Sequence, residues 1–381
     1  LKLQVLFWEI SFQFGTGMQG VIERRRSYLQ LMRKLTLRKG SFTVEELAQV
    51  AGIPRSTARD WISRLADEGC LTVMKHPHGR APSRYAAVSA IPRTACRKIF
   101  TAVDGDMVEI VHECLSSACA AFCGRHHAKS HPSIRVIREG TILREFIRMG
   151  TFDNTVGLWP EPAVAITGVW REGDEIVQRI RSLGGPAHSL TGMMGRAEGV
   201  LKVDTVRHEH STEGCIRTQA LEHIIIGIDN TDSLEEGATF ALAISLLDYL
   251  SELHGTFPIG HHIAMLWQDL PEKTAGNSCS AIELAVVPDR VELIRKAAVR
   301  FISDESISDC WGIAIHKGFI IPDSLHGFGI KARTAQVSCD EARACARDCG
   351  IYTAGGTGII GSLAAIGLAH EPADQMITPA F

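Results

Sequence analysis

Apolar residues recur at helical spacing from Val21 to Leu37, set among Arg24, Arg25, Arg26, Arg33 and Lys34. Thr43-Val44-Glu45-Glu46-Leu47-Ala48 opens a second predicted helix, with Thr43 and Glu46 at capping-box spacing. Ala51-Gly52-Ile53 reads as a tight turn. A third helix runs from Pro54 to Glu68, begun by proline and ended by Gly69. Cys70–Met74 and Tyr85–Val88 then alternate as two strands around a basic turn at 75–80. The pattern weakens over 132–220, where Ala163–Trp170 reads as a strand and Asp174–Leu183 as a helix ended by Gly184-Gly185-Pro186. It sharpens again with strands at 223–228, 281–287 and 311–315, alternating with helices at 238–253, 290–302 and 357–369. That order predicts a multidomain α/β (α+β) chain whose C-terminal domain carries a mixed sheet.

A length of 381 residues and a hydrophobic content of 45% allow two or three domains with real cores. The net charge of −3 hides an asymmetry. Residues 18–90 hold 13 Lys and Arg against 6 Asp and Glu, so the acidic excess lies in the remainder. A basic head on an acidic body suits a polyanion at the head. No apolar run reaches membrane-spanning length. Eleven cysteines, an odd number, argue against a disulfide scaffold and for metal or redox chemistry in a reducing cytoplasm. Residues 1–17 are aromatic-rich and stop at Met18. They are expected to be translated upstream sequence or a cloning remnant, with a short packing arm as the alternative. The rest divides into a head at 18–92, a Cys/His-containing segment at 93–131, a small α/β connecting region at 132–221 and a domain at 222–381.

Helix, helix, turn, helix and hairpin is the order of a winged helix-turn-helix. The run from Thr43 through Leu47-Ala48, Ala51-Gly52-Ile53, Ser56-Thr57-Ala58 and Trp61-Ile62 to Leu65 resembles that motif in many bacterial and archaeal regulators. The resemblance implies that the start of the third helix enters the major groove. Arg55, Ser56, Thr57 and Arg59 would then face base edges, and Arg80 and Arg84 of the wing would meet phosphate or the minor groove. Protein contact by the same fold is the alternative.

Cys96, Cys114, Cys119 and Cys123 precede His126 and His127. Their spacing matches neither a zinc finger nor a standard ferredoxin run. Thiolates there could still hold zinc or an iron–sulfur cluster, with Cys96 or His126 as the fourth ligand. The alternative is a buried helix with Cys114, Ala118 and Ala121 along its small face. Cys339, Cys345 and Cys349 form a second group, read as metal, redox or simply buried. His208-Glu209-His210 offers two ligands at strand spacing, or an exposed polar strand.

The buried-strand run Ile224-Ile225-Ile226-Gly227-Ile228 ends in Asp229-Asn230-Thr231-Asp232-Ser233, ahead of an apolar helix from Phe240 to Leu250. Two carboxylates in such a loop suit hydrated magnesium beside nucleotide phosphates. An Asx-type helix cap is the alternative. Lys273-Thr274-Ala275-Gly276-Asn277 precedes another apolar strand, and Gly355-Gly356-Thr357-Gly358-Ile359-Ile360-Gly361 leads into a small-residue helix. Bare backbone amides at a helix start bind anions. In order and spacing, over roughly residues 222–369, these segments resemble the kinase-like catalytic region of the archaeal tRNA-isoleucine agmatinylcytidine synthases. That family carries GIDDTDS, KTRGN and GRGxIGALAAIG. Asn230, Ala275 and Thr357 stand where the pattern has an Asp and two Arg. The family's oligonucleotide-binding barrel and zinc ribbon find no match in the sequence.

The resemblance implies ATP and magnesium, with Asp229 and Asp232 on the metal and Thr239 near the γ-phosphate and open to self-phosphorylation. It places Asn230, Lys273 and Asn277 on metal, phosphate or base, and Gly355, Gly356, Gly358 and Gly361 around the phosphates. The departures imply a relative that binds nucleotide yet reacts slowly. The reading is a cytoplasmic archaeal regulator, from a methanogen given the cysteines, with DNA at the head and ATP or another small molecule in the C-terminal domain. The alternatives are an ATP-dependent enzyme that modifies RNA or a small molecule, and an assembly factor with an inactive site. As partners, tRNA stands behind DNA, and a homodimer stays open.

Overall fold

The computed structural model describes residues 18–77, 79, 81–90, 95–183, 190–271, 273, 274 and 276–379. Residues 1–17, expected to stand apart from the fold, lie outside the described residues, as does Arg80. The chain divides into two compact units, residues 1–93 and 94–381.

In the first unit, α1 (Met18–Lys39), α2 (Val44–Ala51) and α3 (Arg55–Asp67) precede an antiparallel hairpin of β1 (Leu71–Lys75) and β2 (Arg84–Ala87). Thr43 and Glu46 satisfy each other's backbone amides in a capping box at the start of α2. Gly52, at φ 63°, takes the left-handed conformation that ends α2 and turns the chain toward α3. Met32, Phe42, Leu47, Ile62, Leu65 and Leu71 fill the core that these elements share.

The second unit is organised by one strand. Before it come β3 (Cys96–Asp104), β4 (Met107–Cys114), α4 (Ser117–Ser130), β5 (Arg135–Glu139), β6 (Ile142–Arg148), β7 (Gly150–Thr151), β8 (Val164–Glu172), β9 (Glu175–Leu183), α5 (Leu190–Met194) and β10 (Val200–Arg207). The spine itself is β11 (Ser211–Asp229), 19 residues long. After it come α6 (Thr239–Ser251), β12 (Thr256–Met265), β13 (Ser278–Val286), α7 (Val291–Glu305), β14 (Gly312–Lys317), α8 (Asp323–Thr334), α9 (Cys339–Asp348), β15 (Tyr352–Gly355), α10 (Ile359–Leu368) and α11 (Ala373–Met376).

The first part of β11 pairs antiparallel with β9 and β10, touches β3 in parallel at Ala220 and Leu221, and then runs antiparallel between β13 and β14. From Ser211 to Ala220 burial alternates residue by residue, as one covered face requires; 223–228 are buried throughout, as two covered faces require. Ile224, Ile226 and Ile228 pack with Ala243, Leu246 and Leu250 of α6 and Ile294 and Ile302 of α7. Ile225 packs on the other face with Leu363, Ile366 and the residues of α8 and α9. The sheet as a whole is mixed through the parallel β3–β11 pair; in this half its strands β11 to β15 pair antiparallel and carry helices on both faces.

Three expectations are corrected. Asp174–Leu183 is not a helix: Gly173 (φ 62°) turns β8 into β9, and Ile176, Val177 and Ile180 face the core as strand residues. Cys114 closes β4 rather than lying on a helix, and α4 buries Ala120, Gly124 and His127 instead. His208-Glu209-His210 forms the turn between β10 and β11, tied by His208 N to Ser211 O. No described helix is long and apolar enough to cross a membrane.

Candidate functional site

A cavity of about 600 Å³ opens at the C-terminal end of β11. Its lining draws on the three segments that the sequence singles out. Asp229, Asn230, Asp232 and Thr239 come from the spine strand and the loop into α6, Lys273, Thr274, Gly276 and Asn277 from the segment before β13, and Thr357, Ile360 and Gly361 from the start of α10. A cavity of this size is that of a small-ligand site.

The acidic loop is held by hydroxyls. Thr239 Oγ donates to Asp232 Oδ1 at 2.9 Å and accepts from the Thr231 amide at 3.2 Å and hydroxyl at 3.0 Å. Thr274 Oγ donates to the other oxygen of Asp232 at 3.3 Å, so the second segment is tied to the first. Asn230 takes a left-handed φ of 58°, and its amide nitrogen reaches Thr357 Oγ at 3.3 Å, which ties in the third. Asn adopts that backbone more readily than most residues.

Asp229, the last residue of β11, is half-buried. Burial pushes its carboxyl up to about 8, the amide of Asn230 works against that, and the neighbouring Asp232 adds to it. A carboxyl so placed has its charge restored by a cation. Gly361 makes the space it occupies: a Cβ there would meet the Asp229 carboxylate closer than 3.0 Å. Phe240, Trp267, Leu270 and Val337 supply apolar wall.

Several expected roles are corrected. The glycine loop does not offer a row of bare amides. Gly356 N donates to Trp311 O at 2.7 Å, Gly358 N to Cys310 O at 2.8 Å, and Ile360 N to Thr357 O at 3.1 Å. Gly355 and Gly358 instead allow close approach, since a Cβ on either would collide with the backbone at Trp311 and Gly312. Gly355, Gly356 and Gly358 are absent from the cavity lining, which the loop reaches through Thr357, Ile360 and Gly361. Thr239 is 7% exposed with its hydroxyl bonded to three partners, so it braces the loop. Asn277 lines the cavity while its side chain donates to Trp267 O at 2.7 Å, and Lys273 Nζ donates to Gln268 O. Thr231, Thr274 and Gln268 were missed as bracing residues. The two threonines lie inside the motifs, where any hydroxyl beside a carboxylate is a candidate for this work.

In the first unit Arg55, Ser56 and Arg59 are exposed at the start of α3, with Thr57 half-buried beside them. Arg55 pairs with Glu45 at 2.7 Å. Arg84 is held inward: it donates to Ser41 Oγ at 2.8 Å and Ser41 O at 2.9 Å. Cys96 and Cys114 face each other across β3 and β4, and Cys119 and Cys123 follow on α4. Burial and the neighbouring thiols push Cys96 and Cys114 up to about 12 and raise Cys123 as well. Among the described residues no group of three or more His, Cys, Asp or Glu side chains is arranged to hold a metal ion.

No protein-family model matches the chain. An uncharacterized protein of Methanocaldococcus jannaschii is 35% identical over 158 residues, 40% of this chain and 52% of that protein. The tRNA 2-agmatinylcytidine synthetase TiaS of Saccharolobus islandicus is 29% identical over 167 residues, 40% of this chain and 37% of the synthetase. The chain is TiaS-like over about 40% of its length. It spans about half the length of the first relative and little more than a third of the second. Among solved structures, the complex of TiaS with its tRNA and ATP is 25% identical over 39% of this chain and 37% of that one, with a TM-score of 0.36. A tRNA fluorescent labeling enzyme is 26% identical, with the same coverage and TM-score.

Proposed function

We propose that the 222–369 region binds a nucleoside triphosphate in the cavity beside Asp229 and uses it in phosphoryl-transfer chemistry on an RNA. The observation that carries this is the convergence of all three motif segments on one cavity. The similarity to a tRNA-modifying synthetase supports the acceptor class. Phosphoryl transfer asks chiefly for positioning and charge neutralisation. Phe240 and Trp267 suit a nucleobase, and Lys273 with the Thr357 hydroxyl suits the phosphates.

Magnesium fits the donor set. Asp229 is a half-buried carboxyl with no cationic partner among the described residues to explain it, Asp232 adjoins it, and the Asn230 carbonyl oxygen completes an oxygen-only set. When bound, magnesium would neutralise phosphate charge. The residues themselves fix the loop through Thr239 and Thr274 and close the approach with Gly361. Calorimetry with ATP and a non-hydrolysable analogue, with and without magnesium, tests the reading. Magnesium-dependent binding that Asp229→Asn removes is expected, and no binding of any nucleotide at millimolar concentration defeats it.

A second reading concerns residues 18–90, where Arg55, Ser56 and Arg59 stand exposed at one helix end. There we propose duplex DNA as the partner, in the cytoplasm, with the regulator reading following from it.

A further inference from the structure

An aromatic and basic patch on the second unit, far in sequence from the cavity motifs, is left unexplained by nucleotide binding. The loop 157–162 closes on itself through Gly157 N to Pro162 O at 3.1 Å and Glu161 N to Leu158 O at 2.9 Å. It holds Leu158 and Trp159 out into solvent, 80% and 70% exposed. The Arg125 guanidinium lies 4.5 Å and the Lys129 ammonium 5.2 Å from the Trp159 ring centre. Both cations stand on α4, which carries no acidic residue. One turn earlier Phe122, 53% exposed, packs on His126 with ring centres 4.4 Å apart. His126 Nδ1 accepts from Ala163 N at 3.2 Å, which pins the loop to the helix. Burial, followed by the nearby cations, lowers the His126 pKa, so its ring stays a neutral stacking surface. Glu161 is the acid in the loop.

We propose that this patch stacks unpaired bases of single-stranded RNA. An open indole and a phenyl ring offer π faces to bases, and the two cations that now lie on the indole are placed for the adjoining phosphates. Bases inside a duplex present no free face, so the single strand is the form recognised. Tryptophan, phenylalanine and arginine also mark protein interfaces, but lysine is depleted there and here lies against the indole, which with Arg125 favours an anionic partner. The choice of RNA over DNA rests on the acceptor class proposed above.

The test uses the full chain and a fluorescein-labelled, unstructured RNA 12-mer read by anisotropy, beside its duplex. The single strand is expected to bind more tightly than the duplex, with affinity falling as salt rises. Trp159→Ala is expected to weaken it about tenfold or more, and Trp159→Phe to restore most of it. Arg125→Ala with Lys129→Ala is expected to lower the log–log salt slope by about 1.4, two single-strand phosphates' worth. Equal affinity for duplex and single strand, or unchanged binding in both variants, overturns the proposal. So does protection of Phe122 and Trp159 from oxidative footprinting by a protein partner but not by RNA. ATP calorimetry on the same samples reads the other site, so a chain that binds ATP yet ignores the single strand overturns this inference and leaves the nucleotide site standing, whereas a chain that binds neither defeats the nucleotide reading as well.

Discussion

The Asp229 carboxylate and the α-carbon of Gly361 share a space that a methyl group would fill. Gly361→Ala is therefore expected to displace either the carboxylate or the start of α10. Overpacking of that kind costs about 1–3 kcal/mol, read by urea denaturation, and magnesium-dependent ATP binding should fall below detection by calorimetry. Retained binding in this variant would mean that Asp229 does not face the ligand. Asn230 allows the opposite experiment. Its left-handed backbone suits Asp nearly as well, so Asn230→Asp adds a carboxylate without strain. Magnesium-dependent nucleotide binding is expected to tighten about tenfold, the size of one charge-assisted contact. No tightening would place residue 230 outside the cation's reach.

The elements show what patterning conveys and what it leaves out. Ile224–Ile228 was legible as a buried strand because β-branched residues ran on without polar interruption, and the α/β alternation of the C-terminal half followed from it. The first ten residues of the same strand were not legible, because alternation in Ser211–Ala220 is carried by Thr212, Gly214, Ile216, Thr218 and Ala220, few of them strongly apolar. β9 was misread because Ile176, Val177 and Ile180 fit helical spacing as well as a strand, and pairing with β8 and β11 decided between them. In the candidate site the motif positions were legible, but glycine's purpose was not: the same residue serves bare amides or close packing, and only the partner atoms tell which. In the first unit the capping box was read directly from Thr43 and Glu46. Thr43→Ala is expected to cost about 1 kcal/mol of helix stability. Arg55→Ala with Arg59→Ala should leave the fold intact while weakening salt-sensitive duplex-DNA binding, measured by gel shift; a wild-type chain with no salt-sensitive DNA binding removes the second reading.

At the scale of the second unit, a buried set of charges joins the 94–221 half to the 222–381 half. Arg144 on β6 donates to Glu109 on β4 at 2.5 Å and to both oxygens of Glu283 on β13 at 2.7 and 2.8 Å. His223 on β11 lies between the same carboxylates, 2.6 Å from Glu109 and 2.8 Å from Glu283. Arg144→Met leaves two buried carboxylates short of their cation, a loss of about 3–5 kcal/mol. Burial alone would lower the His223 pKa, but Glu109 and Glu283 raise it to about 9. Below its ordinary 6.5 the ring is protonated folded or unfolded and contributes fully; from 6.5 up through about 9 that contribution is lost. Burial works against Glu109 and Glu283, but Arg144 and the histidines hold both below 4.5, so their contribution is full above 4.5 and lost as pH falls beneath it. Stability from this set is therefore greatest between 4.5 and 6.5. Urea midpoints at about pH 5.5, 7.5 and 9.5 are expected to fall in that order, and His223→Gln to flatten the alkaline decline. Equal midpoints at the first and last pH in the native chain would mean that His223 carries no proton between its two glutamates.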